Sequence, residues 1–139
     1  MKIKLAKKEI IHFIGIGGIG MSGLSLIMKG QGFKVQGSDI DNNKNIERLK
    51  KEKIKIFLDQ SKKNLKNATI VVVSSAIKKN NPEIVEAKRR NIPIIKRGEM
   101  LASIVSLMKN IVVVGSHGKT TTTSLITSIF QETKIDPTI

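Results

Sequence analysis

The sequence predicts an α/β protein: a parallel sheet with helices on both faces, then the first strand, loop and helix of an incomplete second α/β domain. Three observations predict it. Short apolar runs alternate with stretches of helical periodicity along all 139 residues. That alternation gives a parallel sheet, because each crossover helix carries the chain back to the end of the sheet where the previous strand began. Two of the apolar runs end in glycine-rich turns that open helices. Finally, runs such as Ile111-Val112-Val113-Val114 are apolar on both faces, which a strand requires only when it is covered above and below.

The elements follow in order. Ile10-Ile11-His12-Phe13-Ile14 reads as a buried strand that stops at glycine. Residues 21–29 read as a helix with Leu24, Ile27 and Met28 on one face, closed by Gly30 and Gly32. A second strand covers 33–36, with Asp39 just past its end, and a polar helix covers 46–53. Short strands follow at 54–57 and 68–73. Asn81-Pro82-Glu83 is a helix start: a capping Asn, a Pro whose missing N–H costs nothing there, and an acid at the positive end of the dipole. That helix runs to about Arg90. A strand at 92–95 and a helix at 99–108 complete the first domain. A strand at 110–114 and a helix from Lys119 to about Thr133 open the second.

Composition narrows the function. Aromatic residues make up 3% of the chain, with no Trp or Tyr, so the stacking platforms of single-strand nucleic-acid binders are nearly missing. No cysteine is present, which excludes disulfides, thiolate zinc sites and cysteine nucleophiles. No apolar run is long enough to span a bilayer, and Lys-rich residues 1–9 lead into a segment broken by glycines, unlike a signal peptide. The chain is therefore expected to be cytoplasmic, with no membrane and no nucleic-acid partner. The net charge of +14 comes almost wholly from scattered Lys, with Arg only at 48, 89, 90 and 97, and reads as a solvated surface before it reads as a polyanion site.

Two motifs carry chemistry. Gly15-Ile16-Gly17-Gly18-Ile19-Gly20 sits between a strand and a helix. Glycines permit the tight turn and a close approach to a diphosphate, and the N–H groups of the helix start face its charge. Asp39 follows Gly20 by 19 positions, where an acid accepts hydrogen bonds from a ribose. The motif specifies the diphosphate of a nucleotide; an NAD or FAD site and a ligand-free tight turn stay open at this point. A side chain at Gly17 is expected to enter the diphosphate's place. The second motif is Gly115-Ser116-His117-Gly118-Lys119-Thr120-Thr121. Its turn exposes N–H groups to phosphate oxygens, Lys119 adds charge for the β- and γ-phosphates, and the Thr120 hydroxyl suits Mg²⁺. Two residues separate its glycines, where the common P-loop has four. His117 either touches phosphate or shapes the loop. His12 is a core or edge residue. Ser74, Ser75 and Arg97 lie at C-terminal strand ends, where open α/β sheets bind ligands.

Taken together, His12 to Gly23, Gly37-Ser38-Asp39, Ser74 to Ile77, Ile92 to Leu101 and Gly115 to Thr122 closely resemble the front part of the Mur ligases, the amide-forming enzymes of peptidoglycan synthesis. Within them they resemble the branch that joins L-alanine to UDP-N-acetylmuramate. The resemblance implies a Rossmann-like UDP-sugar-binding domain over 1–108 and the start of an ATP-binding central domain over 109–139. It implies that Gly15, Gly17, Gly18, Gly20, Asp39, Ser74 and Arg97 serve the UDP-sugar. It further implies that Gly115, Ser116, His117, Gly118, Lys119, Thr120 and Thr121 serve ATP, with Lys119 catalytic on phosphate and Thr120 on Mg²⁺. Ser116 stands where Thr is usual, Gly98 where Ala is usual, and Asp59-Gln60 where a Gly-His pair often precedes Asn64-Leu65. The Mg²⁺-binding Glu, the carbamylated Lys and the amino-acid pocket of the family fall beyond residue 139, so the chain alone is not expected to turn over. Two other readings compete. An NAD(P)-dependent oxidoreductase domain explains the first motif and Asp39 but not Lys119. A non-catalytic nucleotide-binding module explains both loops without chemistry.

Overall fold

The structure is a computed structural model that describes residues 3–107 and 118–120. The chain divides into two compact units, Met1–Leu107 and Met108–Ile139. In the first, the elements run β1 (Ile10–Ile14), α1 (Ile19–Gly30), β2 (Lys34–Ser38), α2 (Lys44–Lys51), β3 (Lys55–Phe57), a 3-10 turn (Lys62–Leu65), β4 (Ile70–Val73), α3 (Pro82–Arg89), β5 (Ile94–Lys96) and α4 (Arg97–Ser106). All strand pairs are parallel and the order is β3-β2-β1-β4-β5. The chain starts in the middle strand, builds outward to β3, then crosses over and builds outward to β5. The order therefore reverses between β1 and β4, and the loops leaving these strands diverge to opposite faces. A crevice opens at that point.

Side chains alternate across the sheet. On one face Ile14 and Val71 pack with Leu65, Ala68, Ile84 and Ala87, under the 3-10 turn and α3. Ile11 and Phe13, of the opposite parity on β1, are fully buried, and α1 packs between α2 and α4. Helices thus cover both faces, as the doubly apolar strands require.

Helix ends set the strand starts. In α1, α2 and α3 the residue three past the helix end donates to a carbonyl five positions back: Phe33 to Met28, Ile54 to Leu49 and Ile92 to Ala87. The residue just before each donor is left-handed, Gly32 at φ 90°, Lys53 at 60° and Asn91 at 54°. This closure favours glycine for lack of a Cβ clash and tolerates Asn, so Lys53 is the costly exception. Lys53 is exposed and its left-handed backbone is retained by glycine without strain. Lys53→Gly is expected to raise stability by roughly 0.5–1 kcal/mol, the strain relieved less the glycine's extra chain entropy. A urea midpoint that falls would show that the Lys53 side chain holds something here.

The expected elements all appear in this unit, with shifted ends. β2 runs two residues further than expected, through Gly37 and Ser38, because both pair with β1 and β3. α2 begins at Lys44, since the Asn43 side chain accepts from the Ile46 N–H and caps it. In the second unit Gly118 has φ 74°, Lys119 and Thr120 are helical, and all three are exposed. The strand expected at 110–114 and most of the last expected helix lie outside the described residues. None of the described helices is long and apolar enough to cross a membrane.

Candidate functional site: a two-ended cleft at the strand switch point

The glycine loop is built on Ser38. The Ser38 carbonyl at the end of β2 accepts from both Gly15 N–H (2.8 Å) and Ile16 N–H (3.0 Å), which folds the chain sharply as it leaves β1. Gly15 takes φ 77° to make this turn. Ile16 then dives beneath the loop and is fully buried. It lies against Gly37, where an added Cβ would stand 2.5 Å from Ile16 Cδ1 and 2.8 Å from the Phe13 carbonyl oxygen. Gly37 therefore admits no side chain.

Gly17 is pinned by three side chains. Its N–H donates to Asp39 Oδ2 at 2.8 Å, and its carbonyl accepts from Asn43 Nδ2 (3.2 Å) and Asn45 Nδ2 (2.9 Å). An added Cβ at Gly17 would meet Asp39 Oδ2 at 2.8 Å and Ile46 Cδ1 at 3.0 Å. The expectation that it would enter the ligand's place is corrected here: it points into the wall that holds Asp39. Gly18 N–H closes back on the Gly15 carbonyl. The donors left for an anion are the N–H groups of Ile19, Gly20 and Met21, the first turn of α1, which have no acceptor within the helix.

That helix start is left positive. α1 has no side-chain cap and no acid in its first turn, whereas α2 and α3 each have a capping Asn and a Glu there. The Arg97 guanidinium lies over it: an added Cβ at Gly20 would be 2.6 Å from Arg97 Nη1. Arg97 reaches this place because β5 ends at Lys96 and α4 begins at once. The opposite end of the cleft is acidic. The Asp39 carboxylate takes N–H groups from Gly17 and Asp41 (3.0 Å), two of about four lone-pair positions, and the rest stay open to hydroxyls.

All seven residues expected at the first site, Gly15, Gly17, Gly18, Gly20, Asp39, Ser74 and Arg97, line one cleft of about 450 Å³. Asp41, Asn43 and Ile77 line it as well and escaped the sequence reading. The signal for Asn43 was present, since an Asn three positions before the first apolar helical residue is a cap. Ser75 is exposed and not part of the cleft, and Gln60 does not line it. His12 is neither exposed nor at an edge; it is fully buried in the central strand, hydrogen-bonded to Glu83. A wider depression of about 660 Å³ beside α2 is walled by Asn42 and Asn43 of the preceding loop and by Lys44, Glu47, Arg48 and Lys51 of the helix surface. Gly115, Ser116, His117 and Thr121 lie outside the described residues. Among those described, no three His, Cys, Asp or Glu side chains are grouped to hold a metal.

The segment that carries the glycine loop, Asp39 and Arg97 lies within residues 10–109, which match one family model, "Mur ligase family, catalytic domain". The chain belongs to the Mur ligase family. It is 74% identical over its whole length to a UDP-N-acetylmuramate–L-alanine ligase of Pelagibacter ubique, covering 30% of that protein. A ligase of the same name from Aquifex aeolicus is 56% identical over 92% of the chain, which covers 28% of it. The crystal structure of UDP-N-acetylmuramate-alanine ligase from Thermotoga maritima superposes with a TM-score of 0.78 at 35% identity, covering 89% of this chain and 29% of that one. A murein peptide ligase from Psychrobacter arcticus gives 0.80 at 28% identity, covering 92% and 27%. This Mur ligase chain thus spans under a third of the length of these relatives. Gly98 has nothing within 4 Å of an added Cβ, so an Ala there would be sterically neutral.

Proposed function

We propose that this chain furnishes the UDP-sugar site and the ATP loop of a UDP-N-acetylmuramate–L-alanine ligase, an enzyme of peptidoglycan precursor synthesis. The observation that supports this most is the two-ended cleft. Its cationic end, the α1 start with Arg97, suits a diphosphate. Its acidic end, Asp39 with Asp41, suits ribose hydroxyls. In this reading residues 1–108 are the UDP-sugar domain and 109–139 begin the ATP-binding domain.

The proposed reaction has two steps. The muramyl carboxylate attacks the γ-phosphorus of ATP, releasing ADP and forming an acyl phosphate. The amine of L-alanine then displaces phosphate to form the amide. In the first step Lys119 would hold the β- and γ-phosphates, and Thr120 would offer its hydroxyl to a Mg²⁺ ion, whose charge would offset that of the phosphoryl group. The left-handed Gly118 immediately before a helix start at Lys119 and Thr120 fits such a loop. Gly15 to Gly20 and Arg97 hold the UDP-sugar throughout, so that its carboxylate is presented and does not diffuse.

Calorimetric titration tests this. UDP-N-acetylmuramate is expected to bind and NADH is not; tight NADH binding without the UDP-sugar would install the oxidoreductase reading instead. Asp39→Ala is expected to weaken the UDP-sugar by about 1.5–3 kcal/mol, the range for a hydrogen bond to a charged group. Unchanged affinity in that variant would confine Asp39 to clasping Gly17.

A further inference from the structure

We propose that Glu83, buried beneath the sheet and remote from the cleft surface, is a positioning residue for the nucleotide loop, acting through Ser38. Its carboxylate is fully buried and receives three donors: His12 Nε2 at 3.1 Å, Ser38 Oγ at 2.6 Å and Asn64 Nδ2 at 3.0 Å. Gln36 Nε2 reaches both His12 Nδ1 (3.0 Å) and the Asn64 carbonyl (2.9 Å), which makes the imidazole nitrogen facing Glu83 the one that carries the proton. Among the described residues no buried side-chain polar atom lacks a partner.

Stability does not explain this cluster. The same face of the sheet is otherwise aliphatic, with Ile14, Val71, Leu65 and Ile84. Burying a carboxylate and an imidazole there costs more than an apolar side chain of the same volume, even when every donor is met. What the cluster delivers is geometry at two places, the end of β2 that carries the glycine loop and the loop after β3. Ser38 is held by its hydroxyl to Glu83 while its carbonyl holds Gly15 and Ile16, and the next residue, Asp39, holds Gly17. Asn64 is held by Glu83 while its amide also holds the Asp59 side chain and carbonyl in the loop after β3. One carboxylate on α3 thereby ties together the middle of β1 through His12, the end of β2 through Ser38 and the 3-10 turn through Asn64. An apolar contact there would leave the Ser38 hydroxyl and the Asn64 amide without a fixed partner on α3, because dispersion has no direction.

The binding arm of the test rests on the UDP-sugar reading of the cleft; the exchange arm does not. Amide exchange read by NMR on the 139-residue chain, and calorimetric titration with UDP-N-acetylmuramate, are compared in wild type, Glu83→Ala, Glu83→Gln and Ser38→Ala. In Glu83→Ala the amides of Gly15, Ile16 and Gly17 are expected to exchange at least tenfold faster, with those of residues 100–103 in α4 unchanged, and affinity falls about tenfold. Glu83→Gln retains two acceptor contacts on its carbonyl, and its amide donates to a reoriented Ser38 hydroxyl, so it stays within about threefold of wild type on both readouts. If Glu83→Ala does not fold, Ser38→Ala decides: the same loop amides are expected to exchange about threefold faster. A uniform rise across the unit in a folded variant, or unchanged loop amides, overturns the proposal. If wild type fails to bind the UDP-sugar, the proposed function falls, and the exchange rates alone decide the role of Glu83.

Discussion

Gly37→Ala is expected to destabilise the first unit by about 3 kcal/mol, at the upper end for forcing atoms into a packed core, and to lower Tm by roughly 10–20 °C. The new methyl would stand 2.5 Å from Ile16 Cδ1, 2.7 Å from Ile16 Cβ and 2.8 Å from the Phe13 carbonyl oxygen. The Cδ1 contact alone would be relieved by a rotamer change. The other two cannot be, because Cβ is fixed to the backbone and the carbonyl belongs to the neighbouring strand. Relief requires β2 to move off β1 or Ile16 to leave its pocket. Either motion breaks the bonds from Gly15 and Ile16 to the Ser38 carbonyl, so ligand affinity should fall together with stability. Differential scanning calorimetry with and without UDP-N-acetylmuramate measures both. A Tm within 3 °C of wild type would mean that the register of β1 on β2 is not as described.

Gly17→Val is expected to separate the two effects, costing UDP-sugar affinity at least about 2 kcal/mol, roughly thirtyfold. Its Cβ meets Asp39 Oδ2 and Ile46 Cδ1, both side-chain ends, so the fold has room to adjust where Gly37 has none. The adjustment pushes Asp39 away. The Gly17 N–H then loses its acceptor, the carboxylate leaves the ribose end of the cleft, and the loop carrying the α1 start loses one of its anchors. The Asn43 and Asn45 contacts to the Gly17 carbonyl strain in the same direction. Titration of a variant confirmed as folded by circular dichroism is the measurement. Wild-type affinity would show that the loop contributes turn geometry and no binding.

The sequence by itself determined the elements and the character of the first loop. Apolar period and glycine placement are local properties, and strand, loop and helix follow from them within a residue or two at each end. It also determined that Asp39, Ser74 and Arg97 would lie on one edge of a parallel sheet, since residues just past strands of one direction share that edge. Which of them meet was decided only by the tertiary structure. The order β3-β2-β1-β4-β5 brings the end of β4 beside the glycine loop, and the immediate start of α4 swings Arg97 over the start of α1. The lock on Gly17 and the buried carboxylate were likewise invisible. Asp39 lies 22 positions from Gly17, and His12 lies 71 from Glu83. Hydrogen bonds need atoms within about 3 Å at a set angle. At such separations only strand register and helix placement bring atoms that close. A His in an apolar run and a Glu at a helix start each have an ordinary local explanation, and nothing in the chain between them marks the pair.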